Sequence, residues 1–142
     1  MQTVRQVLEA KGRNVWTIGP DASVYEALTL MADKGIGALV VTEGAKVLGL
    51  LAERDYTRNV ALHGRTSRDT KVSEIMVSKV PCVGPDQTVQ TCMSIMTEMR
   101  VRHLPVLDGD ELYGLVSIGD LVKAIIDEQE ILIEHLVHYI NG

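Results

Sequence analysis

Phenylalanine is missing from this 142-residue chain, and one Trp with four Tyr supply all of its aromatic surface. With 46% hydrophobic residues the core must be built from Val, Leu, Ile, Met and Ala, which can pack densely without polar tips to satisfy. Cysteine is nearly absent as well. Cys82 and Cys92 form neither a CxxC pair nor a framework, which excludes a disulfide-stapled scaffold. They are expected to be two buried free thiols in a reducing cytosol. Positive charge is not in excess either. Fourteen Lys and Arg stand against 19 Asp and Glu, a formal net charge of −5, which argues against broad binding to nucleic acid but not against a local basic pocket. No run of about eighteen apolar residues is present, so no membrane span is expected. The N-terminal MQTVRQVLEAKGR shows neither an apolar core nor a small-residue cleavage site, so no signal peptide is read and a cytoplasmic location is expected. Catalytic signatures are missing too. There is no Ser/His/Asp order, no Cys/His pair, no GxxxxGK[ST] loop and no evident carboxylate pair, so no enzyme is expected. His135 and His138, beside Glu134, lack a further ligand for a metal.

What the chain does have is an internal repeat. Asp55 recurs as Asp120, and the same offset of 65 lays VWTIGPDASVYEALTLM (15–31) on VPCVGPDQTVQTCMSIM (80–96). It also lays GIGALVVTEGAKVLGLLAERD (35–55) on RVRHLPVLDGDELYGLVSIGD (100–120). Twelve positions are identical, among them Gly19-Pro20-Asp21 with Gly84-Pro85-Asp86, Gly44 with Gly109, and Gly49 with Gly114.

Each copy reads as β-α-β-β-α. A short β segment, VWTI or VPCV, ends in Gly-Pro-Asp, and the following Asp-x-Ser or Asp-x-Thr is a helix start. Val24, Ala27, Leu28 and Met31 then fall at i, i+3, i+4 and i+7, as do Val89, Cys92, Met93 and Met96, which predicts one apolar helical stripe per copy. Strands are expected at 38–41 with 46–52 and at 103–106 with 111–117, joined by turns in which Gly44 and Gly109 take positive φ. Helices are expected to begin near Asp55 and Asp120. TVRQVLEAK (3–11) reads as a helix capped by Thr3, and KVSEIM (71–76), after the charged connector HGRTSRDT, as one capped by Ser73. From Asp120 onward a helix of about twenty residues carries a broad apolar face, read either as a self-association surface or as folded back on its own core.

Asp120 stands three residues after Ser117 where a strand turns into a helix. It is either a first-turn carboxylate stabilised by free N–H groups or an acceptor for vicinal hydroxyls such as those of a ribose. A Ser hydroxyl one turn earlier can reach a sugar or phosphate oxygen, and free N–H groups at a helix start favour an anion.

The two frames, GPD…ALVV…GLLAERD and GPD…HLPV…GLVSIGD, resemble a tandem CBS pair, or Bateman module, over nearly the whole chain. The resemblance implies an α/β (α+β) fold of two β-α-β-β-α repeats packed sheet to sheet with pseudo-twofold symmetry. The repeats would span 10–62 and 75–128, with a linker at 63–74 and a C-terminal helical extension at 129–142. It further implies a regulatory, non-catalytic module that binds AMP, ADP, ATP, NAD(H) or S-adenosylmethionine in two clefts. Such a module changes its repeat packing on binding, signals to an effector protein, and forms a homodimer or a larger assembly.

Carried over by position, the resemblance puts Asp120 on the ribose hydroxyls with Ser117 beside it. Lys11, Trp16, Ile36, Gly37 and Ala38 fall on the base side, Trp16 being equally readable as core. Arg102 and His103 fall at phosphate positions. A second site centres on Asp55, with Met76, Pro81 and Val101 on its base side and Arg54 and Arg58 toward a phosphate. Ala52 stands there where Ser or Thr is usual. One missing hydrogen bond costs about 0.5–1.5 kcal/mol, roughly three- to tenfold in affinity, so unequal sites are expected. The alternative reading is an interaction or scaffold protein with unoccupied clefts.

Overall fold

The two longest helices within the repeats start where a hydroxyl is available to cap them. Ser23 accepts the Glu26 N–H at 3.1 Å and Thr88 accepts the Thr91 N–H at 3.1 Å. In the computed structural model, which describes residues 2–141, they run over Val24–Lys34 (α2) and Val89–Met99 (α5). The stripes face inward as their spacing requires, with Val24, Ala27 and Met31 buried in one and Val89, Cys92 and Met96 in the other. The remaining elements, among the described residues, are α1 (Val4–Lys11), β1 (Thr17–Ile18), β2 (Ala38–Glu43), β3 (Lys46–Ala52), α3 (Glu53–Asn59), α4 (Val72–Ile75), β4 (His103–Asp108), β5 (Glu111–Ser117) and α6 (Ile118–Asn141).

β2 and β3 are antiparallel, with Leu39 opposite Leu51, and β1 lies parallel to β2, with Thr17 opposite Val40. In the second copy β4 pairs with β5, and the segment equivalent to β1 makes a single bridge, Val83 to Val106, instead of the expected strand. In the first copy the Val40 N–H donates to the Trp16 carbonyl, but Pro105 stands at the equivalent position of β4 and has no N–H to offer, so only Val83 pairs.

The chain forms two compact units. One comprises 14–80 with 110–112, the other the segment up to Arg13 with 81–109 and the chain from Tyr113 onward. Their cores are equivalent position by position. Val24, Ala27, Met31, Leu39, Val41 and Leu51 in the first become Val89, Cys92, Met96, Leu104, Val106 and Val116 in the second.

A further repeated element lies outside the 65-residue offset. Val72 and Ile75 of α4 close the core of the first unit, and Val4, Val7 and Leu8 of α1 close that of the second. Their backbone bonds correspond as well. The Val72 and Ser73 N–H groups donate to Ala22 and Pro20, and those of Val4 and Arg5 to Gln87 and Pro85. Each short helix precedes one repeat in the sequence and docks on the other repeat's unit. Arg5 of α1 donates to the Tyr113 hydroxyl at 3.3 Å, and the Arg13 guanidinium, just past the helix end, lies 3.7 Å above the Tyr113 ring, so α1 and the segment after it are held by two cationic side chains as well as by apolar burial.

The glycines repeated between the copies, Gly49 and Gly114, leave room for these segments. A Cβ on Gly114 would stand 2.6 Å from Leu8 Cδ1, and one on Gly49 would collide with the Val77 carbonyl oxygen.

Two further expectations are corrected, and one of the two readings of the α6 tail is removed. The cap of α4 is Lys71, not Ser73, because the Glu74 carboxylate reaches back to the Lys71 N–H at 2.6 Å. Cys92 is buried but Cys82 is exposed beside the prolines that interrupt its strand. The last thirteen described residues of α6, 129–141, are exposed on every side and do not fold back on the core.

Candidate functional site

The sites grow out of the two strand–helix junctions. At the end of β5, Ser117 caps α6 and Asp120 occupies its third position. The Asp120 N–H donates to Ser117 Oγ at 3.1 Å, and the Ser117 N–H donates to Asp120 Oδ2 at 2.8 Å, a reciprocal capping box. The Lys11 ammonium adds a second contact to the same oxygen, Oδ2, at 2.5 Å. Asp120 Oδ1 accepts no hydrogen bond from the described residues. Both readings of Asp120 therefore fit one side chain: Oδ2 fixes the helix start and Oδ1 is open to a donor. Partial burial pushes the carboxyl up, but the Lys11 ammonium together with the Ser117 N–H and hydroxyl outweigh it, and its pKa lies below the ordinary carboxylate value. The group is an anion at neutral pH.

A groove of about 130 Å³ adjoins this pair, lined in part by Gln6, Lys11, Asp120, Lys123 and Asp127. That is below the roughly 300–1,000 Å³ of an enclosed drug-sized ligand site, and the groove is open to solvent. Lys123 and Asp127 were missed by the sequence reading. Their i+3 and i+7 spacing from Asp120 is the signal that could have found them.

The first copy has the same junction with one polar group fewer. Asp55 Oδ2 accepts the Ala52 N–H at 2.8 Å, but Ala52 offers no oxygen in return. Asp55 is buried, and burial raises its pKa against the opposing pull of the Ala52 N–H, Arg54 and Arg58. The two equivalent carboxylates are thus shifted in opposite directions.

A backbone bond ties each junction to the segment before the preceding hairpin. Glu53 N–H donates to the Gly37 carbonyl at 3.1 Å, and Ile118 N–H donates to the Arg102 carbonyl at 2.9 Å, the same bond 65 residues on. Ile36, Gly37 and Ala38 accordingly lie beside Ala52 and α3, and Val101, Arg102 and His103 beside Ser117 and α6. Ala38 is buried opposite Ala52, Gly37 is exposed, and Ile36 is half-buried on its core. Arg102 is exposed and His103 half-buried at the start of β4. Trp16 is 41% exposed with the Lys34 ammonium 4.4 Å from its ring, which removes the core reading for that residue. Met76 packs on the first core, and Pro81 is half-buried in the second unit.

One unit therefore gathers Lys11, Ser117, Asp120, Val101, Arg102, His103 and Pro81. The other gathers Asp55, Arg54, Arg58, Trp16, Ile36, Gly37, Ala38 and Met76. No group of three or more His, Cys, Asp or Glu among the described residues could hold a metal, and no helix searched is long and apolar enough to cross a membrane.

The CBS-domain family model matches residues 4–62 and 72–127. The chain belongs to the CBS-domain family and carries two such domains in tandem. It is 37% identical to the mitochondrial CBS domain-containing protein CBSX3 of Arabidopsis thaliana, over 99% of this chain and 72% of that protein. A protein with CBS domains from Burkholderia ambifaria, assigned by its name to signal transduction, is 52% identical with a TM-score of 0.87, covering 90% of this chain and 96% of the other. A CBS-CP12 protein from bloom-forming cyanobacteria, described as hexameric, is 27% identical with a TM-score of 0.77, over 85% of this chain and 66% of that one.

Proposed function

We propose that the chain is a cytoplasmic, non-catalytic regulatory module that binds an adenosine-containing ligand at its strand–helix junctions and signals its occupancy to an effector protein. The ligand class is AMP, ADP or ATP, with NAD(H) and S-adenosylmethionine as further members. The single observation that carries this reading is Asp120: an anionic carboxylate with one oxygen locked by the capping box and the other open. In the bound state Oδ1 accepts a ribose hydroxyl, Ser117 stands beside the sugar, and Arg102 and His103 lie toward the phosphate. The Asp55 junction serves a second, weaker site, with Arg54 and Arg58 toward its phosphate. Binding that favours one arrangement of the chain over another carries the signal. Self-association accompanies the function, a reading supported by the exposed end of α6 and by the hexameric CBS-CP12 relative.

Thermal melting of the purified chain with millimolar AMP, ATP, NADH or S-adenosylmethionine tests the reading. A ligand at about 100 times its Kd stabilises by roughly 2.7 kcal/mol, a rise of several degrees for a domain of this size. A shift with none of the four would favour a scaffold with empty sites.

A further inference from the structure

We propose that α6 pairs with α6 of a second copy as a short parallel coiled coil. The proposal deepens the self-association put forward above and says which surface carries it.

Leu121 and Ala124 of α6 are buried in its own unit. A second stripe on the same helix is not. Val122, Ile126, Ile133, Leu136 and Ile140 are between 40 and 78% exposed. With Gln129 they alternate at spacings of four and three: Ile126, Ile133 and Ile140 at one heptad position, Val122, Gln129 and Leu136 at the other. That is the seam of a left-handed coiled coil, and over Val122–Ile140 it runs for about 27 Å. Leu132 and Tyr139 widen it on one side.

Three features select the occupant and its direction. Ile at three successive a positions, Ile126, Ile133 and Ile140, with Leu136 at d favours two parallel strands. In parallel register Gln129 meets the partner's Gln129, so the two amides can bond to each other and fix the register. In the fully overlapped antiparallel register, with Val122 against the partner's Ile140, Gln129 would instead be buried against Ile133. Charge gives the same answer. The flanking positions are Lys123, Glu130 and Val137 on one side and Ile125, Leu132 and Tyr139 on the other. Parallel pairing sets Glu130 beside Ile125, whereas the antiparallel register sets it against the partner's Glu130, a like-charge contact.

The test uses the full chain with Cys82→Ser, which leaves only the buried Cys92. In that background Ile140→Cys should form a disulfide-linked dimer under mild oxidation at dilute protein, and Ile133→Glu should convert the parent dimer to monomer in sedimentation velocity. Cross-linking only between Ile140→Cys and Val122→Cys chains, with none in Ile140→Cys alone, would overturn the parallel arrangement. A dimer that survives Ile133→Glu would place the interface elsewhere and overturn the proposal while leaving self-association intact, and a monomeric parent would overturn both. Nucleotide-dependent melting, measured on the same samples, bears on the ligand reading alone.

Discussion

The Lys11 ammonium lies 2.5 Å from the Asp120 carboxylate, joining α1 to the start of α6 across 109 residues of sequence. Lys11 shares Oδ2 with the Ser117 N–H, so the contact that anchors the N-terminal helix and the one that starts the C-terminal helix use the same atom. This leaves Oδ1 as the part of the side chain open to a ligand. It also means that Asp120→Ala cannot be silent in a melt, because it removes a cap and an ion pair together.

The capping difference between the copies gives the first prediction. Ser117→Ala should lower stability by about 1 kcal/mol, and Ala52→Ser, which completes the box at the Asp55 junction, should raise it by about 0.5–1 kcal/mol. Chemical denaturation of the two variants beside the parent checks both signs.

The opposite pKa shifts give the second. Asp120 has a folded pKa below its unfolded value of about 3.9, so its contribution is present above that value and is lost as pH falls through the folded pKa. Asp55 has a raised folded pKa, so its contribution is present below the unfolded value and is lost as pH rises through the folded one. Asp120→Asn should therefore destabilise at neutral pH, and Asp55→Asn should be neutral or stabilising there. Both differences should shrink toward about pH 3. Unfolding free energies measured along that range decide the signs.

Arg100 supplies the third. It ends α5 at φ 55°, where the equivalent residue after α2 is Gly35 at φ 65°. A left-handed conformation costs a non-glycine residue roughly 1–2 kcal/mol. Arg100→Gly should raise the melting temperature by a few degrees, and a lower value would contradict the strain.

The fourth concerns the paired glycines. Gly49→Ala meets a backbone carbonyl at Val77, which cannot move alone, while Gly114→Ala meets the end of the flexible Leu8 side chain. Overpacking costs about 1–3 kcal/mol, with Gly49→Ala expected at the upper end and Gly114→Ala at the lower. Equal costs in denaturant titrations would contradict this.

The helical stripes, the glycine turns and both acidic junctions were legible because each rests on a short-range rule of spacing or capping. Other features needed tertiary context. α1 and α4 repeat one another as TVRQVL and KVSEIM, but at an offset of 68 and over six residues, too short to see beside the main repeat. The role of Lys71 as a cap depends on Glu74 reaching back, and not on a side chain at the cap position. The single bridge at Val83 reflects Pro105 on the partner strand, which lacks the N–H that Val40 offers in the first copy, a loss visible only once the two segments are paired. Asp120 itself was legible as an acidic residue at a helix start. The division of its two oxygens was not, because Lys11 comes from the far end of the chain.

Titration calorimetry of AMP into the parent chain, Ser117→Ala and Asp120→Ala is the most direct test of the ribose-binding role. Asp120→Ala should bind at least tenfold more weakly, while Ser117→Ala, which loses the cap but keeps the Lys11 ion pair, should lose no more than the three- to tenfold expected of a single hydrogen bond. Equal AMP affinity in the Asp120→Ala variant and the parent would contradict it.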